Sequence, residues 1–338
     1  MRIAIVNDLA LAREVLRRVV LSAPGCSVAW MAVDGDEAVR KAAEDHPDAI
    51  LMDLIMPRVD GAEATRQIMR HSPCPVLVVT ATVSGNYDLV LQAMGAGALD
   101  AVETPTLGPG GTLSNAPPLL VRLERLRAVR AGVHAPLPPP TGTPSGDLPP
   151  VVAIGVSTGG PDALAEVIAA FPAAFPAAVL IAQHIAPEYV PSLATRLGAC
   201  CTLPVRPAKD GDAVVPGVVL LAASNDHLEL GPDRKLRYTP HPRDDPYRPS
   251  ADVLFASLAA RGPRSGVGVL LTGMGTDGAE GLGRLRAAGW HTIAQDETSC
   301  VVYGMPKAAA EKRAAVEVLP LAQIGPAIVA RLHSAKLR

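Results

Sequence analysis

A chain of 338 residues is long for one domain, and two is the natural expectation. Hydrophobic residues make up 49% of it, enough for each half to bury a core. A formal net charge of −2 gives no support to nucleic acid or an anionic membrane as the main partner. The five cysteines (Cys26, Cys74, Cys200, Cys201, Cys300) form no CxxC pair and no metal-spaced cluster, which suits reduced thiols in a reducing compartment. No apolar stretch reaches the ~20 residues needed to span a bilayer. Residues 2–7 read as a strand entering an acidic turn, not as a leader, so the expectation is a soluble cytoplasmic protein without membrane insertion.

Arg2 to Asn7 has the continuous apolar pattern of a buried strand, with Asp8 at its C-terminal end. Leu11, Val15, Leu16, Val19 and Val20 then recur at helical spacing. A second strand at 27–30 leads to a helix near 35–44. A third, at 49–54, ends in Asp53 before a turn containing Pro57 and Gly61. A fourth, at 75–80, ends in Thr80, and a fifth lies at 98–102. Strands alternating with helices predict a doubly wound parallel sheet, which binds ligands at the C-terminal strand ends. Asp8, Asp53 and Thr80 all fall there. Carboxylates gathered at such a place suit a hard cation such as Mg²⁺, beside which one of them can accept a phosphoryl group.

On these residues the first half resembles a response-regulator receiver domain, with Asp53 in the Met52-Asp53-Leu54-Ile55-Met56-Pro57 context of the phospho-acceptor and Asp60-Gly61 following. The resemblance implies phosphorylation at Asp53, a metal held by Asp8 and Asp53, and a pocket completed by Asn7, Thr80 and Thr104. Two positions depart from the pattern. The family opens with two adjacent acids, here Asn7-Asp8, and carries a lysine before the proline after the fifth strand, here Thr104-Pro105. One metal-pocket charge and one phosphate-contacting charge are missing, so slower phosphorylation or weaker activation is expected. The variant resembles the receivers of Wsp-like chemosensory systems.

Leu119, Leu120, Leu123, Leu126 and Val129 mark a last amphipathic helix of the first half. From 132 to 149 the chain turns Pro-, Gly- and Thr-rich, including three prolines at 138–140, and reads as a semi-extended linker. It divides the chain into residues 1–131 and 150–338.

The second half opens with the apolar run 151–156, then Ser157-Thr158-Gly159-Gly160-Pro161. An apolar run without alternation suits a strand buried on both faces, and Pro161 fits the first turn of a helix. Ser157 thus falls in a tight strand-to-helix turn, either as a nucleophile elbow or as part of a glycine-rich loop cradling a phosphate. His184 follows the strand at 177–183, and Asp277 follows the strand at 266–272. All three lie at C-terminal ends of parallel strands, and their chemistry is complementary. Histidine can take the serine proton, while a buried aspartate fixes the imidazole tautomer. A rival lies in Gly273-x-Gly275-x-x-Gly278, which follows a strand, opens a helix and is trailed by Asp296, as in a dinucleotide fingerprint. That reading leaves Ser157 and His184 without roles. In the α/β-hydrolase order the acid precedes the histidine, and here His184 comes first.

The segment 150–335 is similar to the catalytic domain of the CheB family of protein-glutamate methylesterases. The likeness runs through 155–160, Gln183-His184, 248–255, 272–278, Ala294-Gln295 and 299–306. It implies Ser157 as nucleophile, His184 as base, Asp277 as orienting acid and a backbone amide near Met274 in the oxyanion hole, with no cofactor for catalysis. It further implies hydrolysis of glutamate γ-methyl esters on the cytoplasmic helices of a chemoreceptor, deamidation of selected glutamines, and a CheA-like histidine kinase as phosphoryl donor. The unmodified receiver is expected to cover the triad until Asp53 is phosphorylated. Two non-enzyme readings fit less well. The intact triad speaks against a binding module with a dead esterase domain, and a DNA-binding regulator would need a basic C-terminal recognition unit.

Overall fold

The computed structural model describes residues 1–81, 86–108, 112–137, 142 and 148–335. The chain forms two compact units, Met1–Ala131 and Gly132–Arg338. Among the described residues no helix is long and apolar enough to cross a membrane.

In the first unit, strands β1 (Arg2–Val6), β2 (Ser27–Ala32), β3 (Ala49–Met52), β4 (Val76–Thr80) and β5 (Asp100–Glu103) alternate with helices α1 (Ala10–Ser22), α2 (Gly35–Glu44), α3 (Gly61–His71) and α4 (Tyr87–Ala96). Every strand pairing is parallel, in the order β2-β1-β3-β4-β5. The helices cover both faces, which is why Ile3, Ala4, Ile5 and Val6 in β1 and Ile50, Leu51 and Met52 in β3 have no exposed surface. A small hairpin of β6 (Thr106–Leu107) and β7 (Leu113–Ser114) precedes α5 (Ala116–Arg130), which enters on prolines in its first turn and buries Leu119, Leu123 and Leu126. Chain order reverses between β1 and β3, so the open crevice of this sheet lies where Asp8 and Asp53 emerge.

The second unit is a larger version of the same principle. Its strands are β8 (Val151–Val156), β9 (Ala178–Gln183), β10 (Val205–Pro207), β11 (Val219–Leu221), then, after a separate antiparallel hairpin of β12 (His227–Leu230) and β13 (Leu236–Thr239), β14 (Gly266–Leu270), β15 (His291–Gln295) and β16 (Glu317–Leu319). Seven of them form a parallel sheet in the order β10-β11-β9-β8-β14-β15-β16. Helices α6 (Gly160–Ala169), α7 (Val190–Cys200), α8 (Ala251–Arg261), α9 (Ala279–Ala287), α10 (Met305–Glu311) and α11 (Leu321–Ala335) complete it. The order reverses between β8 and β14, the strands that precede Ser157 and Asp277, and β9, which precedes His184, is β8's other neighbour.

The first residues of the expected linker behave differently from a free tether. Ala135 and Leu137 are buried, and Leu137 packs against Val253 and Ala256 of α8. The segment builds no core of its own; it borrows an apolar face that α8 already presents. The proline run at 138–140 lies outside the described residues.

Candidate active site

Ser157 follows β8 directly. Its N–H donates to the Thr272 carbonyl at 3.0 Å, and its carbonyl accepts from Gly160 N–H at 2.9 Å and from the Gln183 amide at 3.0 Å. Gly159 holds φ +78°, and a Cβ there would stand 2.6 Å from Val301 Cγ2, so the turn demands glycine twice over. With Pro161 in the first turn of α6, the serine sits on a strand-to-helix elbow.

His184 is fixed by its backbone, whose N–H donates to the Val156 carbonyl at 3.0 Å, and by two side-chain contacts. Nε2 meets Asp277 Oδ2 at 2.7 Å, and the ring stacks on Tyr247 with centroids 5.2 Å apart. With Nε2 given to Asp277, Nδ1 is the ring nitrogen left to take a proton from a hydroxyl. The structure thus joins two of the three expected triad members. Among the described residues no hydrogen bond runs from the Ser157 hydroxyl to His184, a contact that in other enzymes tightens only with substrate bound.

Asp277 is fully buried and its oxygens are all engaged. Oδ1 accepts from the Ser250 hydroxyl at 2.7 Å and Asp252 N–H at 3.1 Å, and Oδ2 accepts from Ala251 N–H at 2.6 Å as well as from His184. Ser250, Ala251 and Asp252 are the cap and first residues of α8, so the carboxylate lies at the positive end of that helix. Burial alone would raise its pKa. The His184 hydrogen bond and charge, the Ser250 hydroxyl and the Ala251 amide outweigh burial and hold the carboxyl below the usual carboxylate value. Ser250 is oriented in turn by His227, whose Nδ1 accepts Ser250 N–H at 3.1 Å.

The glycines of the dinucleotide-like motif have other uses. A Cβ at Gly273 would stand 2.7 Å from the Ser157 Cβ, and one at Gly275 would stand 2.2 Å from the Tyr247 hydroxyl. Gly278, at φ +82°, packs on Leu270 and Ala251. The motif is a turn that threads the acid between the elbow and α8. Met274, the expected oxyanion residue, follows the glycine that touches Ser157.

His134, Asp252 and Asp277 place one ligand-type atom each within 4.8 Å of one another, the described group that comes nearest to metal spacing. Each oxygen of Asp277 already accepts two hydrogen bonds, and Asp252 accepts from His134 Nε2 at 2.6 Å and from Gly281 N–H. Both oxygens of Asp277 are therefore fully committed to protein donors, and each oxygen of Asp252 already has one.

In the first unit Asn7 and Asp53 are brought together. The Asn7 amide donates to Asp53 Oδ2 at 2.8 Å, and its carbonyl accepts Leu9 N–H at 2.9 Å. Asp53 Oδ1 accepts Leu54 N–H at 2.8 Å. Gly61 makes room beside it, since a Cβ there would stand 2.0 Å from the Asp53 carbonyl oxygen. Burial, assisted by the charge of Asp8, pushes Asp53 up to about 6. Thr80 is buried and its hydroxyl accepts from the Asn86 amide at 3.3 Å; Thr104 donates its N–H to the Thr80 carbonyl.

Four contributors were not singled out from the sequence as site residues: Ser250, His227, Tyr247 and His134. Ser250 carried a usable signal, because Ser-Ala-Asp before an apolar run is a helix-start pattern. The others act across long sequence separations that no local pattern encodes.

A CheB methylesterase family model matches residues 152–328, and a response regulator receiver domain model matches residues 3–107. The chain is 50% identical over 333 residues to protein-glutamate methylesterase/protein-glutamine glutaminase 3 of Burkholderia orbicola (strain AU 1054), covering 98% of each chain. It is likewise 50% identical over 330 residues to protein-glutamate methylesterase/protein-glutamine glutaminase 2 of Cupriavidus metallidurans, covering 97% of this chain and 98% of the relative. The crystal structure of the Thermotoga maritima CheB methylesterase catalytic domain superposes with a TM-score of 0.50 at 34% identity, covering 54% of this chain and 98% of that one. The chain belongs to the CheB methylesterase family and carries a receiver domain ahead of the esterase domain.

Proposed function

We propose that this protein hydrolyses glutamate γ-methyl esters on the cytoplasmic helices of a chemoreceptor, and deamidates selected receptor glutamines, under control of phosphorylation at Asp53. The observation that carries the reading is the His184–Asp277 pair, anchored on the first turn of α8 and placed at the strand end next to the Ser157 elbow.

Ser157 Oγ attacks the ester carbonyl carbon while His184 Nδ1 takes the hydroxyl proton. Asp277, on Nε2, holds the tautomer and stabilises the imidazolium that forms. The negative oxygen of the tetrahedral intermediate is met by backbone N–H groups at the elbow and at Met274. Collapse expels methoxide, which leaves as methanol with the proton from His184. Water, deprotonated by the same imidazole, then cleaves the glutamyl–serine ester and returns Ser157. A glutamine side chain follows the same course with ammonia as the leaving group.

In the receiver, Asp8 and Asp53 would hold Mg²⁺, which offsets charge during phosphoryl transfer. The residues fit a hard cation, being carboxylates at adjacent strand ends whose mutual repulsion helps raise Asp53. Asn7 spends its carbonyl on Leu9 and its amide on Asp53, so it offers no second charge, in line with a weakened pocket. The phosphoryl donor would be a CheA-like histidine kinase.

Ser157→Ala tests the site. Methanol release from methylated receptor membranes should fall by several orders of magnitude with no change in thermal unfolding. Release at the wild-type rate would remove Ser157 from the chemistry.

A further inference from the structure

We infer that His134, carried by the stretch just after the receiver unit, is a positioning residue of the esterase triad, its ring countering the buried carboxylates beside Asp277 and bracing the tyrosine that stacks on His184. His134 Nε2 meets Asp252 Oδ2 at 2.6 Å, and a ring nitrogen lies within 4.8 Å of an Asp277 oxygen. The ring also stands edge-on to Tyr247 with centroids 5.9 Å apart, and Tyr247 is the residue against which His184 stacks at 5.2 Å. Asp252, whose N–H binds Asp277 Oδ1, is thus shared by two histidine–aspartate pairs built on one helix start.

The charges around this point need such a partner. Facing His134 are Asp252 from α8, Asp277 from the turn before α9, and Asp245 and Tyr247 from the loop before α8. From α9, Arg284, paired with Glu280, holds the Leu137 carbonyl at 3.2 Å. Asp245 Oδ2 lies 3.7 Å from His134 Nδ1, and neither atom has a hydrogen-bond partner among the described residues. Three carboxylates with no exposed side-chain surface therefore crowd the back of the triad. The Asp252 hydrogen bond, against the cost of burial, raises His134 to about 9, so near neutral pH it carries a proton. Burial pushes Asp252 up and Asp245 up to about 6, so above that pH removal of the His134 cation leaves negative charge uncompensated beside the triad, which favours the protonated, inactive form of the base.

The inference rests on the esterase reading, and the test separates the two. Initial rates of methanol release from methylated receptor membranes are measured against pH for the full chain, His134→Gln and His134→Arg, all in an Asp53→Asn background so that phosphorylation does not vary. His134→Gln should move the acid limb of kcat/KM to higher pH by about one unit, a roughly tenfold loss on that limb with the plateau retained. His134→Arg, which keeps the cation, should restore the limb. A fall of the same factor at every pH, or an unshifted limb, would overturn the inference. Independently of any activity, the His134 imidazole resonance of the unsubstituted chain should titrate near 9, and titration at an ordinary histidine value near 6.5 would also overturn it. Absence of methanol release by the wild-type chain would instead refute the substrate, and the imidazole titration would still decide the role of His134.

Discussion

Asp277 carries a full charge with no exposed surface, and four donors make that possible. Asp277→Asn keeps the shape but presents an amide where His184 Nε2–H needs an acceptor, favouring the wrong tautomer. Turnover should fall by about 10⁴, read as kcat with KM little changed. Asp53 has the opposite balance. Its folded pKa of about 6 lies above the ordinary carboxylate value of 3.8. The folded state therefore binds the proton more tightly between those values, and receiver stability drops as pH rises through that window. Asp53→Asn should raise the receiver's melting temperature by roughly a few degrees at pH 7.5 and change it little at pH 4. Equal shifts at both pH values would refute burial of the charge as the cause. The placement of Ser157, His184, Asp277 and Asp53 at the C-terminal ends of strands was legible because each follows a recognisable apolar run. Which imidazole nitrogen faces the acid was not, because it depends on where α8 starts relative to the turn after β14.

At the level of elements, the long buried strands announced themselves as apolar runs, and β8, β9 and β14 fall close to where those runs predict. The three-residue strands β10, β11 and β16 lie toward the sheet edges and are too short to show a period. The β12–β13 hairpin is held by its own antiparallel ladder and by packing of its leucines with those of α8, and its four-residue strands are likewise too short to show a period. Ser250 links element to site, since its hydroxyl accepts Val253 N–H as the α8 cap while donating to Asp277. Ser250→Ala should cost about 1–2 kcal/mol in denaturant unfolding and lower kcat as well. A stability loss without a rate loss would mean the cap alone matters. Composition also hid the docking of residues 134–137, because one histidine and one leucine suffice when α8 supplies the other half of the contact. A fragment beginning at 132 should therefore unfold at higher denaturant than one beginning at 150, and equal midpoints would mean the segment adds nothing.

Across the whole molecule, two parallel sheets each bring candidate residues to the point where strand order reverses: Asp8 and Asp53 in one, Ser157 and Asp277 in the other. The division into two such units could be read from the sequence, because a Pro- and Gly-rich stretch interrupts two alternating patterns. The proposed regulation of one unit by the other could not, since a phosphorylation-driven change would rest on differential stability and not on any motif. We propose that phosphorylation of Asp53 releases the activity of Ser157, only partway because Asn7 and Thr104 leave the pocket short of two charges. The most direct measurement is methanol release from methylated receptor membranes by the full chain, with and without a phosphoryl-donating kinase and ATP, beside Asp53→Asn and the fragment 132–338. The full chain should start low and rise partway toward the fragment's rate when the kinase is added, while Asp53→Asn and the fragment stay unmoved. A full chain already as fast as the fragment before any kinase is added, or an Asp53→Asn chain that the kinase still activates, would contradict it.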